Sequence, residues 1–124
     1  RDAMFYTETL ERIEAADTEY AEFFTTITDH VREFTRERNG ADATTQPDSL
    51  ALACIAYPDL VTEANTYFVD VDEREGMTRG YSLVDELGIT DGQRRTRVVE
   101  CVDADRFAQT VVDMLVHGDP DRRR

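Results

Sequence analysis

The sequence predicts an α/β fold that runs helix, helix, helix, strand, strand, strand, helix. Three patterns carry this prediction. Apolar residues recur every three or four positions over residues 18–38, which is typical of one side of an amphipathic helix. Apolar and polar residues alternate over residues 66–72, which indicates a strand. Asp103 stands where a capping residue belongs, ahead of a periodic run that Gly118 ends.

Two helices are predicted at the start of the chain. A short surface helix covers residues 7–16, and Asp17 is the predicted cap of the long helix that follows. Asn39 and Gly40 are predicted to stop the long helix. Its periodicity assigns the aromatic side chains to the core, and these are Tyr20, Phe23, Phe24 and Phe34.

A polar loop and a third helix come next. Residues 41–47 are polar and predict a loop, whereas residues 50–57 are almost wholly apolar and predict a short buried helix. Asp48 lies near the positive end of that helix, where a carboxylate is favoured, and the helix must close before Pro58.

The remaining elements are strands and a closing helix. Residues 66–72 and 81–84 predict a hairpin, because Gly76 and Gly80 bracket its connection. Residues 97–102 predict a third strand. Three strands make a small sheet that leaves the leading helices with nothing to cover, so part of the sheet is expected to lie elsewhere. The residues expected to face inward from the closing helix are Phe107, Val111, Met114 and Leu115.

The charge composition is strongly one-sided. The 124 residues include 27 acidic and 14 basic side chains, giving a net charge of −13, and every basic residue is Arg. Such a surface repels itself unless salt screens it, which favours a protein from a salt-adapted organism. It disfavours nucleic acid as a partner, because phosphate binding needs clustered cations. Residues 119–124, which include the last three Arg residues, are predicted to be a disordered tail.

Other classes are disfavoured by what the sequence lacks. The apolar runs are too short to span a bilayer and no leader opens the chain, so we predict a cytoplasmic protein without membrane contact. Cys54 and Cys101 have no CxxC spacing and are predicted to be buried thiols. The acidic stretch at residues 70–75 alternates with valines and lacks EF-hand spacing, so we interpret it as the solvated side of a hairpin.

Several segments together resemble the carboxy-terminal part of the inosine/uridine-preferring nucleoside hydrolase family. Residues 48–53 (DSLALA) and 57–61 (YPDLV) are similar to the family's His-Asp-Pro-Leu-Ala helix and the turn behind it. Residues 69–85 resemble its hairpin, in which Leu-Thr-Arg-Gly connects two strands. Residues 102–107 (VDADRF) resemble the cap of its closing helix, and residues 7–13 fit more weakly. Residues 1–118 are therefore expected to form the carboxy-terminal segment of such a domain.

The resemblance implies an open, mainly parallel sheet fold and a calcium-dependent reaction. In this family one calcium ion binds the ribose hydroxyls and a water, and an Asp accepts the proton of that water. The base then leaves through an oxocarbenium-like transition state. Most calcium ligands come from an amino-terminal Asp-rich motif that this sequence does not contain. The implied partners are a nucleoside substrate and, for the complete enzyme, further copies in a homo-oligomer.

The resemblance also implies individual site residues. The sequence alone favours Asp48 as a helix cap. The resemblance reverses this preference, because Asp48 matches the Asp of the His-Asp pair and is therefore the predicted calcium ligand. The preceding His of many members is Pro47 here, which has no titratable group and cannot protonate a leaving base. Thr35, Arg38 and Asn39 fall roughly where members line the nucleobase pocket, and the alternative, slightly favoured by the sequence, is the solvated end of a helix. No catalytic residue is predicted in this segment.

The predicted function is hydrolysis of the N-glycosidic bond of ribonucleosides as part of a longer enzyme, with the isolated segment inactive. One alternative is a non-catalytic acidic binding module derived from the same family, and another is a fragment without a function of its own. An upstream reading frame that encodes the Asp-rich motif would favour the enzyme, whereas a start site near Met4 would favour the module.

Overall fold

The structure, a computed structural model, describes residues 3–118. The predicted tail at residues 119–124 lies outside the described residues. The chain divides into a helical unit, which runs to Leu60 and resumes at Asp103, and a strand unit, Val61–Val102. Among residues 3–118, no helix combines the length and the apolar character that a membrane span requires.

The helical unit contains two short strands and four helices. Strand β1 pairs antiparallel with β2, so that Phe5 lies opposite Thr44. The predicted polar loop at 41–47 is therefore wrong where β2 lies. Strands of three residues are too short to display an alternating pattern, which is why the sequence gives no signal for them. The elements are β1 (Met4–Tyr6), α1 (Thr7–Glu14), α2 (Glu19–Asn39), β2 (Ala43–Thr45), α3 (Pro47–Ala56) and α4 (Ala104–His117).

The ends of α2 follow local chemistry. Thr18, not the predicted Asp17, caps the helix: its hydroxyl oxygen accepts a hydrogen bond from the backbone N–H of Ala21 at 3.1 Å. Asp17 instead adopts a left-handed backbone with φ of 50°, which turns the chain between α1 and α2. The predicted stop is confirmed, because Gly40 ends α2 at φ 69° and its N–H bonds to the Arg36 carbonyl at 2.9 Å.

A single apolar core lies in the helical unit. The ring of Phe5 lies 6.3 Å from that of Phe24 and 5.4 Å from that of Phe107, measured between centroids. Helices α2 and α4, which lie far apart in the sequence, thus pack against the same residue of β1. The other buried apolar residues of this cluster are Leu10, Ile13, Ala21, Ala53, Leu60 and Val112.

Several predicted core positions are wrong. Of the aromatic residues of α2, only Phe24 is buried, whereas Tyr20, Phe23 and Phe34 are exposed. The helix has two apolar rows, and the core covers the row that holds Ala21 and Phe24. In the other segments, Met114 and Cys101 are exposed, Cys54 is half-buried, and α3 buries only Ala53.

The strand unit is an antiparallel sheet in the order β4-β3-β5. Its strands are β3 (Val61–Val71), β4 (Ser82–Asp85) and β5 (Thr96–Val102). The first part of β3 pairs with β5, from Val61 opposite Val102, and the last part pairs with β4, from Phe68 opposite Asp85. The predicted hairpin and third strand are confirmed. No apolar side chain of residues 61–102 is buried in the structure.

Candidate functional site

The amino end of α3 carries the predicted calcium ligand. Pro47 occupies the first turn, where its missing N–H costs no hydrogen bond, and Asp48 follows with an exposed side chain. Gln46 is the residue at the cap position, and its side chain makes no capping bond. Within residues 3–118 no hydrogen bond or ion pair engages the Asp48 carboxylate. The carboxylate therefore does not act as a helix cap, and its oxygens face solvent at a helix end that favours negative charge.

The connection that leads into α3 is fixed by hydrogen bonds. The backbone N–H of Gln46 donates to the Ala3 carbonyl at 2.7 Å, which extends the β1–β2 pairing by one residue. The Gln46 amide donates to the Thr44 hydroxyl at 3.2 Å and accepts from the Ser49 hydroxyl at 3.3 Å. The Gln46 side chain thus links Thr44, before Pro47, to Ser49, after Asp48.

A buried ion-pair cluster anchors the start of β2. Arg32 is 7% exposed, and its Nε and Nη2 donate to the two carboxylate oxygens of Asp42 at 3.0 and 2.7 Å. Its Nη1 pairs with Glu14 on α1. Arg36 adds a contact to Asp42 at 3.0 Å. The hydrogen bonds from Arg32 hold the pKa of Asp42 below its ordinary value, so the pair stays charged at neutral pH.

The predicted base-contacting residues lie on the last turns of α2. The Thr35 hydroxyl donates to the Val31 carbonyl at 2.8 Å, which leaves its oxygen lone pairs as acceptors. The Arg38 guanidinium lies 5.6 Å from the centroid of the Phe34 ring, a cation–π arrangement. Asn39 is exposed at the final helical position. No hydrogen bond joins any of these three to Asp48 in the described part of the chain.

A complete metal site is not present within residues 3–118, where no three His, Cys, Asp or Glu side chains come together to hold an ion. Calcium takes six to eight oxygen ligands. A carboxylate such as Asp48 is the right donor for calcium, but it is a single ligand. In the acidic hairpin, the Asp72 carboxylate is already engaged by the Arg74 guanidinium at 2.8 Å and the Thr78 hydroxyl at 2.8 Å. These bonds lower the pKa of Asp72 to about 2.

Sequence reasoning missed the Arg32 cluster. Arg32 falls in the same helical row as Ala21, Phe24 and Thr28, and this position was the signal in the sequence that its side chain is buried. A cation in the buried row of an amphipathic helix requires an acidic partner. That partner, Asp42, lies beyond the end of the helix, where periodicity does not reach.

The chain is similar to known nucleoside hydrolases in sequence and fold. A sequence model described as inosine-uridine preferring nucleoside hydrolase matches residues 1–109. An inosine-guanosine nucleoside hydrolase superposes on 94% of the chain with a TM-score of 0.77 and 20% identity. A plant nucleoside hydrolase, PpNRh1, superposes on 93% with a TM-score of 0.76 and 19% identity. The chain spans only 36% and 38% of those two structures. No curated protein sequence is significantly similar to it.

Proposed function

This chain belongs to the inosine-uridine preferring nucleoside hydrolase family, and we propose that it forms the carboxy-terminal part of an enzyme that hydrolyses the N-glycosidic bond of ribonucleosides. The products would be ribose and a free base. The family match over residues 1–109 carries the proposal, and the agreement in fold supports it. Because the chain spans little more than a third of the solved relatives, the activity is proposed for a longer polypeptide.

Within that enzyme, Asp48 is proposed as a calcium ligand. The proposal is supported by an exposed carboxylate that no residue of the described chain engages, at the amino end of a helix. When bound, calcium would hold ribose hydroxyls and lower the pKa of a bound water. Asp48 supplies one of the six to eight oxygens, so the others must come from residues outside this segment.

Thr35, Arg38 and Asn39 are proposed to contact the base. Together they offer an acceptor oxygen, a guanidinium with several donors and an amide that does both, which suits the edge of a purine or pyrimidine. The Phe34 ring offers the Arg38 guanidinium a cation–π contact at 5.6 Å. Pro47 cannot donate a proton, so protonation of the leaving base requires a group elsewhere.

The first prediction tests Asp48 in the complete polypeptide. Asp48→Asn keeps the size of the side chain but removes its charge, so we expect calcium affinity to fall by on the order of a hundredfold. Turnover of inosine or uridine should fall with it. The stability of the calcium-free protein should change by less than about 1 kcal/mol, the contribution of a charge at a helix end. Calcium titration, base release and thermal unfolding measure the three quantities.

Asp105→Asn is the matched control, because Asp105 is also an exposed carboxylate in the first turn of a helix. It should leave calcium affinity and turnover unchanged. Wild-type calcium affinity and turnover in Asp48→Asn would refute the ligand assignment. A complete polypeptide that releases no base from any nucleoside would refute the enzyme and favour the acidic binding module.

A further inference from the structure

Asn39 and Gly40 form the end of α2 and the start of its connection to β2. The sequence contains two Asn residues, and Asn39 is the one that precedes a glycine. Both residues are exposed, and no hydrogen bond from another residue of the described chain engages the Asn39 side-chain amide. Within residues 3–118, no atom beyond its two chain neighbours lies within 4 Å of the place where a Cβ of Gly40 would stand. The Asn39 amide is therefore held neither by a partner nor by crowding.

An Asn side chain in this setting can react with its own main chain. The backbone nitrogen of Gly40, after losing its proton to hydroxide, attacks the Asn39 Cγ atom. A new N–Cγ bond closes a cyclic imide, and the Cγ–Nδ2 bond breaks, so that ammonia leaves after taking a proton from water. Water then opens the imide at either carbonyl, which gives Asp or isoaspartate. The net change is hydrolysis of an amide to a carboxylate and ammonia, and no oxidant or reductant takes part.

One hydrogen bond opposes this reaction. The backbone N–H of Gly40 donates to the Arg36 carbonyl at 2.9 Å, so the attacking nitrogen is engaged in the folded protein. That bond closes the final turn of α2, and helix ends open locally at little cost in free energy. The end of α2 therefore slows the attack but does not block it.

Asn65 has the opposite setting. Its amide donates to the Glu100 carboxylate at 2.8 Å, and the residue lies inside β3, opposite Val98 on β5. The next residue is Thr66, whose branched Cβ crowds the backbone nitrogen that would have to attack. We propose that Asn39 is a site of spontaneous deamidation in the folded protein, whereas Asn65 keeps its amide.

Deamidation changes the end of α2 in two ways. A carboxylate at position 39 adds negative charge at the carboxyl end of a helix, where the helix dipole is also negative. Isoaspartate adds a carbon to the main chain, so the Gly40 N–H no longer meets the Arg36 carbonyl with the same geometry. The same connection carries Asp42, which pairs with Arg32 and Arg36. The modified chain is therefore expected to have a looser junction between α2 and β2.

Incubation of the complete polypeptide in mildly alkaline buffer, followed by peptide mapping with mass spectrometry, tests this proposal. Fragment ions locate the mass increase that accompanies exchange of an amide for a carboxylate. We expect the increase at Asn39 and not at Asn65, at a rate within about tenfold of that of the guanidinium-unfolded chain, since a helix end opens at little cost. Asn39→Gln is the matched control. Its amide must close a larger ring, so position 39 should gain no carboxylate over the same interval.

Two outcomes would overturn the proposal. A native rate more than about tenfold below the unfolded rate would show that the bond to Arg36 protects Asn39. Equal product at Asn65 would show that the glycine and the helix end do not select the site. The modified form, separated by anion exchange, should unfold at a lower temperature than the unmodified protein.

Asn39 is also one of the proposed base contacts, and its deamidation is independent of that role. If Asn39 contacts the base, conversion to a carboxylate removes both donors of the amide and should weaken nucleoside binding by the complete polypeptide. Deamidation at Asn39 with unchanged nucleoside binding would refute the base contact and leave the modification site intact.

Discussion

Arg32 is one of the two charged side chains that are buried among residues 3–118. It joins α2 to α1 through Glu14 and to the start of β2 through Asp42, and both partners are carboxylates. The hydrogen bonds to Asp42 raise its pKa above the ordinary value, so the guanidinium stays charged over the whole working range of pH. Removal of such a group from water is costly unless its donors are paired, and here three of its nitrogens are engaged.

A second prediction follows for this cluster. Arg32→Lys keeps the charge but cannot contact both Asp42 oxygens and Glu14 at once, so we expect a loss of about 1–3 kcal/mol in the free energy of unfolding. Arg36→Lys is the matched control, since Arg36 contacts the same carboxylate from a side chain that is 53% exposed. It should cost no more than about 0.5 kcal/mol. If urea denaturation gave equal losses of unfolding free energy for Arg32→Lys and Arg36→Lys, burial would not be what makes the Arg32 contacts important.

The third prediction concerns Asp85, which is buried at the end of β4. Its carboxylate accepts from the Thr90 hydroxyl at 2.6 Å and from the backbone N–H groups of Thr90 and Ile89 at 2.8 and 2.9 Å. These bonds, the Thr90 hydroxyl first, lower its pKa from 3.8 to about 2. The ionised group therefore stabilises the fold above pH 4 or so, and this contribution disappears as the pH falls towards 2.

Asp85→Asn cannot ionise, so its deficit in urea midpoint relative to the wild type should be full at pH 7 and should shrink between about pH 4 and pH 2. Asp91→Asn, an exposed neighbour in the same connection, is the control and should keep a urea midpoint close to that of the wild type at pH 7. A deficit for Asp85→Asn that is constant from pH 7 to pH 2 would rule out the linkage.

For individual residues, the candidate site could be predicted only where the residue type and its neighbours in the sequence were enough to place the side chain. Asp48 could be placed at the start of a helix because Pro47 and the apolar run define that start, and the structure has it in the first turn of α3. The contacts of Arg32 could not be predicted, because they depend on how α1, α2 and β2 pack. The residue pattern of a single sequence contains no distances between elements.

Among the elements, α2 shows how a helix end is specified. The Thr18 hydroxyl accepts from Ala21 and also donates to the Leu115 carbonyl at 2.6 Å. One side chain therefore caps α2 and ties its start to the last turns of α4. Asp17 has the residue type of a helix cap, but only Thr18 both caps α2 and bonds to α4.

The fourth prediction tests this double role. Thr18→Ala removes both hydrogen bonds and should lower the free energy of unfolding by about 1–2 kcal/mol. Thr18→Ser keeps the hydroxyl and should stay close to the wild type. Asp17→Asn, at the position that the sequence favours as the cap, should change stability by less than about 0.5 kcal/mol. A larger loss for Asp17→Asn than for Thr18→Ala in thermal or urea unfolding would return the cap to Asp17.

Elements were predictable where they are long and periodic. The helices of 21 and 14 residues, α2 and α4, were located to within one or two residues of their ends. Which of the two apolar rows of α2 is buried could not be predicted, because periodicity shows that a row is apolar but not which neighbour covers it. The exposed aromatic residues of α2 were assigned to the core for that reason.

For the whole molecule, the fifth prediction concerns salt. With 27 acidic against 14 basic residues, self-repulsion should destabilise the compact state at low ionic strength. Raising potassium chloride to about 1 M shortens the screening distance to about 3 Å, so the unfolding temperature should rise. Sucrose at matched osmolality is the control, since it stabilises by exclusion without screening. No rise beyond that given by sucrose would contradict adaptation to salt.

The helical unit is interrupted in sequence by the whole strand unit, and this determines the order of events during synthesis. A ribosome releases α1, α2, α3 and all of Val61–Val102 before it releases α4. The core needs α4, because Phe107 is fully buried against Phe5 and the Thr18 hydroxyl needs the Leu115 carbonyl. The nascent chain must therefore hold an unfinished apolar surface until α4 emerges.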